Sequence, residues 1–295
     1  MTNGNLLVAL EPSEEGRHVW DVASNTAARC SFTPSLINVI EPAVAVYADL
    51  NFTPLIECAK DWQESLRREH LSYLQHMAPD VKDAIEVCEG YPPYEIARRA
   101  DDVNAALIVM GLHNRRGIQR LMGSTTHAVM NNSERDVLAI HPDSGDGNFS
   151  RVLIAADTSD LAGTVFEKAK AFIPDGATAH VVSVLVPLST VFAAPEAGRG
   201  LDWSFTELTQ DIQRETESKL HQLIADNGLS GAELTVRTGD PRDEIIAAAN
   251  DMNADLIVIG SNYRGALNRL LLGSTARSVL DQTPCDTLVC RGEHH

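Results

Sequence analysis

Asp102-Val103-Asn104-Ala105-Ala106-Leu107-Ile108-Val109-Met110-Gly111 recurs in this chain as Asp251-Met252-Asn253-Ala254-Asp255-Leu256-Ile257-Val258-Ile259-Gly260. Seven of the ten positions are identical at an offset of 149. In each copy a continuous apolar run, Leu107–Met110 or Leu256–Ile259, is closed by a glycine. Runs this short, rich in β-branched residues and bounded by turn residues, are expected to be strands buried on both faces. Upstream, Gly90-Tyr91-Pro92 matches Gly239-Asp240-Pro241 at the same offset, and downstream Gly123-Ser124-Thr125 matches Gly273-Ser274-Thr275 at an offset of 150. The beginnings also correspond, Leu6-Leu7-Val8-Ala9-Leu10-Glu11 with Val152-Leu153-Ile154-Ala155-Ala156-Asp157. A period this long is a domain rather than a solenoid unit. The expected organisation is a first domain over 1–142, a polar, glycine-containing linker over 143–150, and a second domain over 151–293.

Within each copy, apolar runs alternate with segments of helical period. Strands are expected over 6–10, 35–40, 84–88, 107–110 and 137–140, and again over 152–156, 179–186, 233–237, 256–259 and 287–290. Ser13 before Glu14-Glu15, and Ser159 before Asp160, read as helix caps. Long helices are expected over 55–77 and 204–227, each after a proline-containing loop. This alternation specifies an α/β fold with a mostly parallel sheet. Ligands in such sheets sit beyond the carboxyl ends of the strands, where the strand order reverses. The loops after residues 10, 110, 156 and 259 are therefore the candidate sites.

Composition narrows the partners. The chain has 295 residues, 24 basic against 41 acidic, and a net charge of −17. That field repels phosphate backbones and anionic lipid, so neither a nucleic acid nor a membrane surface is the expected partner. No run of apolar residues is long enough for a spanning helix, and the first ten residues lack a basic n-region, so a cytoplasmic location is expected. The five cysteines, Cys30, Cys58, Cys88, Cys285 and Cys290, include no C-x-x-C pair and read as reduced thiols, with no metal site. Walker, G-x-G-x-x-G, G-x-S-x-G and H-E-x-x-H signatures are all absent, and no catalytic residue presents itself. Trp62 and Trp203, beside the long loops, read as loop anchors rather than ligand platforms.

Against this acidic background, no acidic residue occurs from Leu256 to Leu280, where Arg264, Arg269 and Arg277 lie. Leu107 to Ser133 is likewise free of acid, with Arg115, Arg116 and Arg120. Each stretch runs through Gly-Ser-Thr at the start of a helix-period segment. One reading is a phosphate cradle, because a helix N-terminus offers free N–H groups and positive potential. The other is a Ser/Thr cap after a tight turn, with arginines on a solvated face.

In these residues the chain resembles the universal stress protein family, in its tandem two-domain form. The family's nucleotide motif, Gly-x-x-Gly, nine residues, then Gly-Ser/Thr, has its counterpart in Gly260-Ser261-Asn262-Tyr263, nine residues, and Gly273-Ser274. Leu270-Leu271-Leu272-Gly273-Ser274-Thr275, Thr283-Pro284-Cys285-Asp286 and the Gly239-Asp240-Pro241 turn are also family-like, and the resemblance runs nearly end to end. It implies two tandem Rossmann-like domains of the adenine nucleotide alpha hydrolase-like type. It also implies a ligand, ATP or a related adenine nucleotide, with Mg²⁺ as a possible companion, for a sensor or signalling module. By the same resemblance, Ala156 and Asp157 correspond to the turn near ribose and phosphates. Val184 corresponds to the adenine-contacting backbone. Gly239, Gly260, Ser261, Gly273, Ser274 and Thr275 fall on the turns that hold ribose and phosphate.

Tyr263 stands where the family has the second glycine, and its ring either crowds the phosphates or stacks on the ligand. The first half departs further. Glu11 replaces the aspartate, Asn114 the second glycine, and Gly111 to Gly123 spans 12 residues against 13 from Gly260 to Gly273. The first half is therefore expected to be degenerate or differently specific. The alternative function is a scaffold that binds no nucleotide, with both pockets degenerate. An enzyme is not expected, beyond slow ATP hydrolysis. The family also implies pairing through the last strand of each domain, 137–140 with 287–290, and a possible homodimer.

Overall fold

The turn Ser13-Glu14-Glu15-Gly16 shows how local chemistry sets the first element boundaries. Ser13 Oγ accepts from Gly16 N at 3.0 Å, and two carboxylates occupy the positive end of the helix that follows. That helix, α1 (Glu14–Cys30), buries Val19, Val22, Ala23, Thr26, Ala27 and Cys30 along one face and ends at Ser31 with φ 56°. It joins β1 (Asn5–Ala9) to β2 (Thr33–Ile40).

The computed structural model describes residues 4–42, 53–112, 124–187, 202–261 and 272–292. The chain divides into two compact units, Met1–Asn148 and Phe149–His295. In the first unit the order continues through α2 (Thr53–Met77), a 3₁₀ turn (Pro79–Ala84), β3 (Ile85–Glu89), α3 (Pro92–Asp102), β4 (Ala105–Gly111), α4 (Ser124–Asn132) and β5 (Asp136–Ile140). The second unit holds β6 (Arg151–Ala155), α5 (Leu161–Phe172), β7 (Thr178–Leu185), α6 (Asp202–Asp226), β8 (Glu233–Thr238), α7 (Pro241–Asp251), β9 (Leu256–Gly260), α8 (Ser274–Gln282) and β10 (Asp286–Cys290).

All pairings within each unit are parallel. The first sheet runs β3-β2-β1-β4-β5 and the second β8-β7-β6-β9-β10. Successive strands are laid down in one direction, then the chain crosses back. Order therefore reverses between β1 and β4, and between β6 and β9. Right-handed crossovers cover both faces of such a sheet with helices, so its central strands are apolar throughout. Leu6, Leu7, Val8, Ile108, Val109, Leu138, Leu153, Ile154, Val258 and Leu288 are fully buried.

Boundaries expected from the sequence hold to within two residues. One cap does not hold. Ser159 lies in a turn where its N–H donates to Asp157 Oδ1 at 2.9 Å, and α5 begins later, with Asp160 as the N-cap, whose side chain makes no capping bond. No helix among the described residues is long and apolar enough to cross a membrane.

The segment 143–150 carries specific contacts. His18 Nε2 lies 3.1 Å from Ser144 Oγ, Asn25 Nδ2 donates to Asp146 O at 2.8 Å, and Arg29 Nη1 donates to Gly147 O at 2.7 Å. Positions 18, 22, 25 and 29 form one face of α1, and residues 144–147 lie along it. Gly147 has φ +81°, and a Cβ there would meet Val22 Cγ1 at 3.0 Å and Val22 O at 3.1 Å. Gly147→Ala is therefore expected to destabilise the first unit by about 2 kcal/mol, through left-handed backbone and crowding together. Gly145→Ala, with nothing within 4 Å, is the neutral control. Urea unfolding midpoints of the two variants check this. Phe149 then enters the core of the second unit, 2% exposed, with its ring centroid 6.4 Å from that of Phe172.

Candidate functional site

The carboxyl ends of the strands are built alike in the two units. After β1 and β6, Leu10 N donates to Ile37 O at 3.2 Å and Ala156 N to Val182 O at 3.1 Å. After β4 and β9, Leu112 N donates to Ile140 O at 2.7 Å and Ser261 N to Cys290 O at 2.9 Å. At the edge strands, Gly90 N donates to Ile40 O at 3.1 Å and Gly239 N to Leu185 O at 3.0 Å. Each strand thus gains one extra rung before its loop departs, and the crevice at the switch point has the same frame twice.

In the second unit this frame gathers most of the residues singled out in the sequence. Ala156 and exposed Asp157 leave β6, and Asp157 Oδ1 closes a local turn on Ser159 N. Gly260 ends β9, and Ser261, 6% exposed, follows it. Gly273 N donates to Ser261 O at 3.2 Å, which ties the exit of β9 to the start of α8. Val184 lies on β7 beyond Val182, the partner of Ala155, the last residue of β6. The N–H and C=O of one strand residue point to the same side, and those of residues two apart agree. The backbone of Val184 therefore points over the end of β6 into the crevice. Tyr263, with Arg264 and Arg269, lies outside the described residues.

The start of α8 separates the two readings of Gly-Ser-Thr. The N-cap is Gly273 (φ −60°, ψ 151°), so neither Ser274 nor Thr275 is the cap, and among the described residues no side chain makes a capping bond. Ser274 is exposed, Thr275 half-buried, and no acidic residue occupies the first turn. Helical N–H groups without a capping side chain, at the switch point of a parallel sheet, suit an anion. The first turn of α5 is also without acid.

Gly239 directly follows β8, the edge strand, two strands from the β6–β9 switch. A Cβ there would meet Glu244 Cγ at 2.9 Å, so the glycine accommodates this side chain of α7. Asp240 caps α7 by accepting from Arg242 N at 3.0 Å, and its hydrogen bonds with Arg242 hold its carboxyl down to about 2.

The first unit fills the same frame with different chemistry. Leu112, 8% exposed, stands where the second unit has Ser261, and exposed Glu11 where it has Asp157. Thr126 Oγ1 donates to Gly111 O at 3.0 Å, so α4 is tied to β4 by a side chain; the equivalent position in α8 is Ala276. The turn after β1 is held from α2. Asn38 Nδ2 donates to Leu10 O at 2.9 Å, which leaves Asn38 Oδ1 to accept from His70 Nδ1 at 2.8 Å, and Tyr73 OH donates to Ser13 O at 3.3 Å. Ser183 occupies the place of Asn38 in the second unit. With Glu14 and Glu15 in the first turn of α1, this corner disfavours phosphate. His113, Asn114, Arg115, Arg116, Arg120 and Gly123 lie outside the described residues.

Burial lowers the pKa of His70, against the opposing pull of Glu69 and Glu11. The folded unit then binds fewer protons at His70 than the unfolded chain does. The stabilisation is present above the ordinary histidine value of about 6.5 and is lost as pH falls through the lower folded value. The denaturation midpoint of the first unit is expected to drop between pH 7.5 and 5.5, and His70→Gln to flatten that part of the profile.

Sequence reasoning missed this Asn38–His70 link, because the two residues lie 32 positions apart on different elements and neither belongs to a motif. It also misplaced Trp62, which stands on α2, 54% exposed, and holds no loop in place by burial. The side chain of Trp203 lies outside the described residues. Among the described residues, Cys30, Cys88, Cys285 and Cys290 form no disulfide, and no three His, Cys, Asp or Glu side chains gather as a metal site. Burial pushes the Cys285 thiol up to about 12.

Three comparisons place this geometry. The chain is 27% identical over 136 residues, 46% of its length and 94% of the relative's, to universal stress protein A homolog 1 of Coxiella burnetii. It is 29% identical over 146 residues, 49% of its length and 86% of the relative's, to a protein of Staphylococcus aureus (strain USA300) named for the same family. The crystal structure of a universal stress protein from Archaeoglobus fulgidus DSM 4304 is similar in fold, with a TM-score of 0.68 and 21% identity over 99% of both chains. The model of the universal stress protein family matches residues 2–141 and again residues 148–291, and with nearly the whole chain covered by the two matches, the chain belongs to that family.

Proposed function

We propose that the second unit binds ATP or a related adenine nucleotide and that the chain acts as a nucleotide-responsive sensor rather than an enzyme. The observation that carries this reading is the start of α8. Among the described residues its N–H groups have no capping side chain, its first turn has no acid, and the Gly273–Ser261 hydrogen bond brings them against the exit of β9. In this reading the phosphates lie along Gly273, Ser274 and Thr275. Ser261 and Asp157 face the ribose, Val184 presents its backbone to the base, and Tyr263 borders the ligand. A companion Mg²⁺ would neutralise phosphate charge and be held chiefly through the ligand. Any hydrolysis in this reading is slow and incidental to binding. The first unit, with Leu112 and Glu11 at the matching positions, binds no anionic nucleotide. Pairing of 137–140 with 287–290, association of two chains and a cytoplasmic location belong to the same reading and rest on the family resemblance.

Native mass spectrometry of the full chain, with and without millimolar Mg²⁺-ATP, tests this. One nucleotide per chain is the expected result. Two per chain would refute the account of the first unit. None would leave the scaffold as the better function.

A further inference from the structure

Gly260 is a glycine for a reason that lies in α5. A Cβ at this position would come within 2.7 Å of Leu161 Cδ2, 3.2 Å of Val165 Cγ2 and 3.4 Å of Leu161 Cγ. The φ of Gly260 is not in the left-handed region, so space, not backbone conformation, excludes a side chain here. The other methyl of the same leucine, Cδ1, lies 3.4 Å from where a Cβ on Gly292 would be. Leu161 is thus wedged between the chain leaving β9 and the chain leaving β10. One face of α5 continues this contact, because Lys168 Nζ donates to Arg291 O at 2.8 Å.

We infer that Leu161 is a positioning residue for the second unit's nucleotide site, acting on the exit of β9 and the head of α8, a role that rests on the nucleotide reading of that site. Gly260 is followed directly by Ser261. The N–H of Ser261 bonds Cys290 O, and its C=O accepts from Gly273 N at the head of α8. The leucine therefore sets the height at which Ser261 and the α8 N-terminus face one another, without touching the ligand. In the first unit the residue of α1 at the same distance from the preceding strand is exposed Glu15, and α4 is tied to Gly111 by Thr126 Oγ1.

The test uses the full chain, ATP titration calorimetry, and amide hydrogen exchange without nucleotide. Leu161→Ala is expected to weaken ATP binding roughly tenfold or more and to speed exchange at the Ser261 and Gly273 amides about tenfold. Exchange in β6 and β7 should stay unchanged. Leu161→Met, which refills the volume, should restore both. Gly260→Ala should abolish binding, and Gly260→Ala with Leu161→Ala should bind better than Gly260→Ala alone, because the second change makes room for the first. Unchanged affinity and unchanged exchange in Leu161→Ala would overturn the inference. So would an even rise in exchange across the unit, which is general destabilisation. If the unaltered chain binds no ATP, the nucleotide reading fails by itself. The exchange data and the thermal midpoints of the double-variant cycle then still decide whether Leu161 holds Ser261 against the head of α8.

Discussion

Ser274→Asp is expected to remove ATP binding from the second unit while raising its thermal midpoint. The two effects have opposite sign because they draw on the same potential. Ser274 is the first helical residue of α8, exposed, behind a glycine cap that has no side chain. A carboxylate there meets the positive end of the helix and stabilises it by about 0.3–1 kcal/mol, worth about 1–3 °C in a unit of this size. The same carboxylate stands where a phosphate is proposed to lie. Two unit charges about 5 Å apart at an effective dielectric of about 20 repel by about 3 kcal/mol, roughly a hundredfold in affinity for each phosphate charge so placed. Calorimetric titration and a thermal melt of one preparation read both. A binding loss accompanied by a lower midpoint would mean damage rather than repulsion. Unchanged binding would move the phosphates away from α8.

The second large effect concerns stability. Phe149→Ala is expected to cost about 3–5 kcal/mol, confined to the second unit. Phe149 is 2% exposed and packs its ring against Phe172, which is 4% exposed. Truncation leaves a cavity that α5 and β6 cannot close, because both are fixed by neighbours on their other sides. Urea unfolding, followed by amide exchange in each unit, should show β6 to β9 destabilised and β1 to β4 unchanged. A loss below about 1 kcal/mol would mean that the ring is not part of that core.

The fold was legible because its signals are local and occur twice. Leu107–Met110 and Leu256–Ile259 are apolar without interruption, as strands covered on both faces must be, and the repeat fixed the order of elements around them. The gathering of Asp157, Gly260, Ser261 and Gly273 followed from the strand order alone. What stayed hidden depends on contacts between distant residues. Leu161 reads in sequence as one more apolar residue of helical period; only the position of α5 sets its two methyls against Gly260 and Gly292. Ser159 resembled a cap, but α5 begins one residue later, behind Asp160. Phe149 lies in a stretch whose other residues are polar or glycine, and one apolar residue there has no periodicity by which to mark it as core. Gly239 could be matched to a family turn, but not to the Glu244 side chain that lies against it.

The contacts of 144–149 also govern where foreign sequence can be accepted. The carbonyl of Gly147 is held by Arg29, and two residues later the Phe149 ring is in a core. A reporter or affinity handle inserted at 148/149 would have to tear one of these loose, although the site looks from the sequence like the natural seam. The turn at Gly231, between α6 and β8, has nothing within 4 Å of an added side chain and no left-handed φ, whereas Gly176, between α5 and β7, has equal room but a φ of +83° that a side chain would strain. Gly231 sits at the opposite end of the sheet from the crevice, and it is a position at which the second unit can be labelled, tethered or extended with the crevice intact.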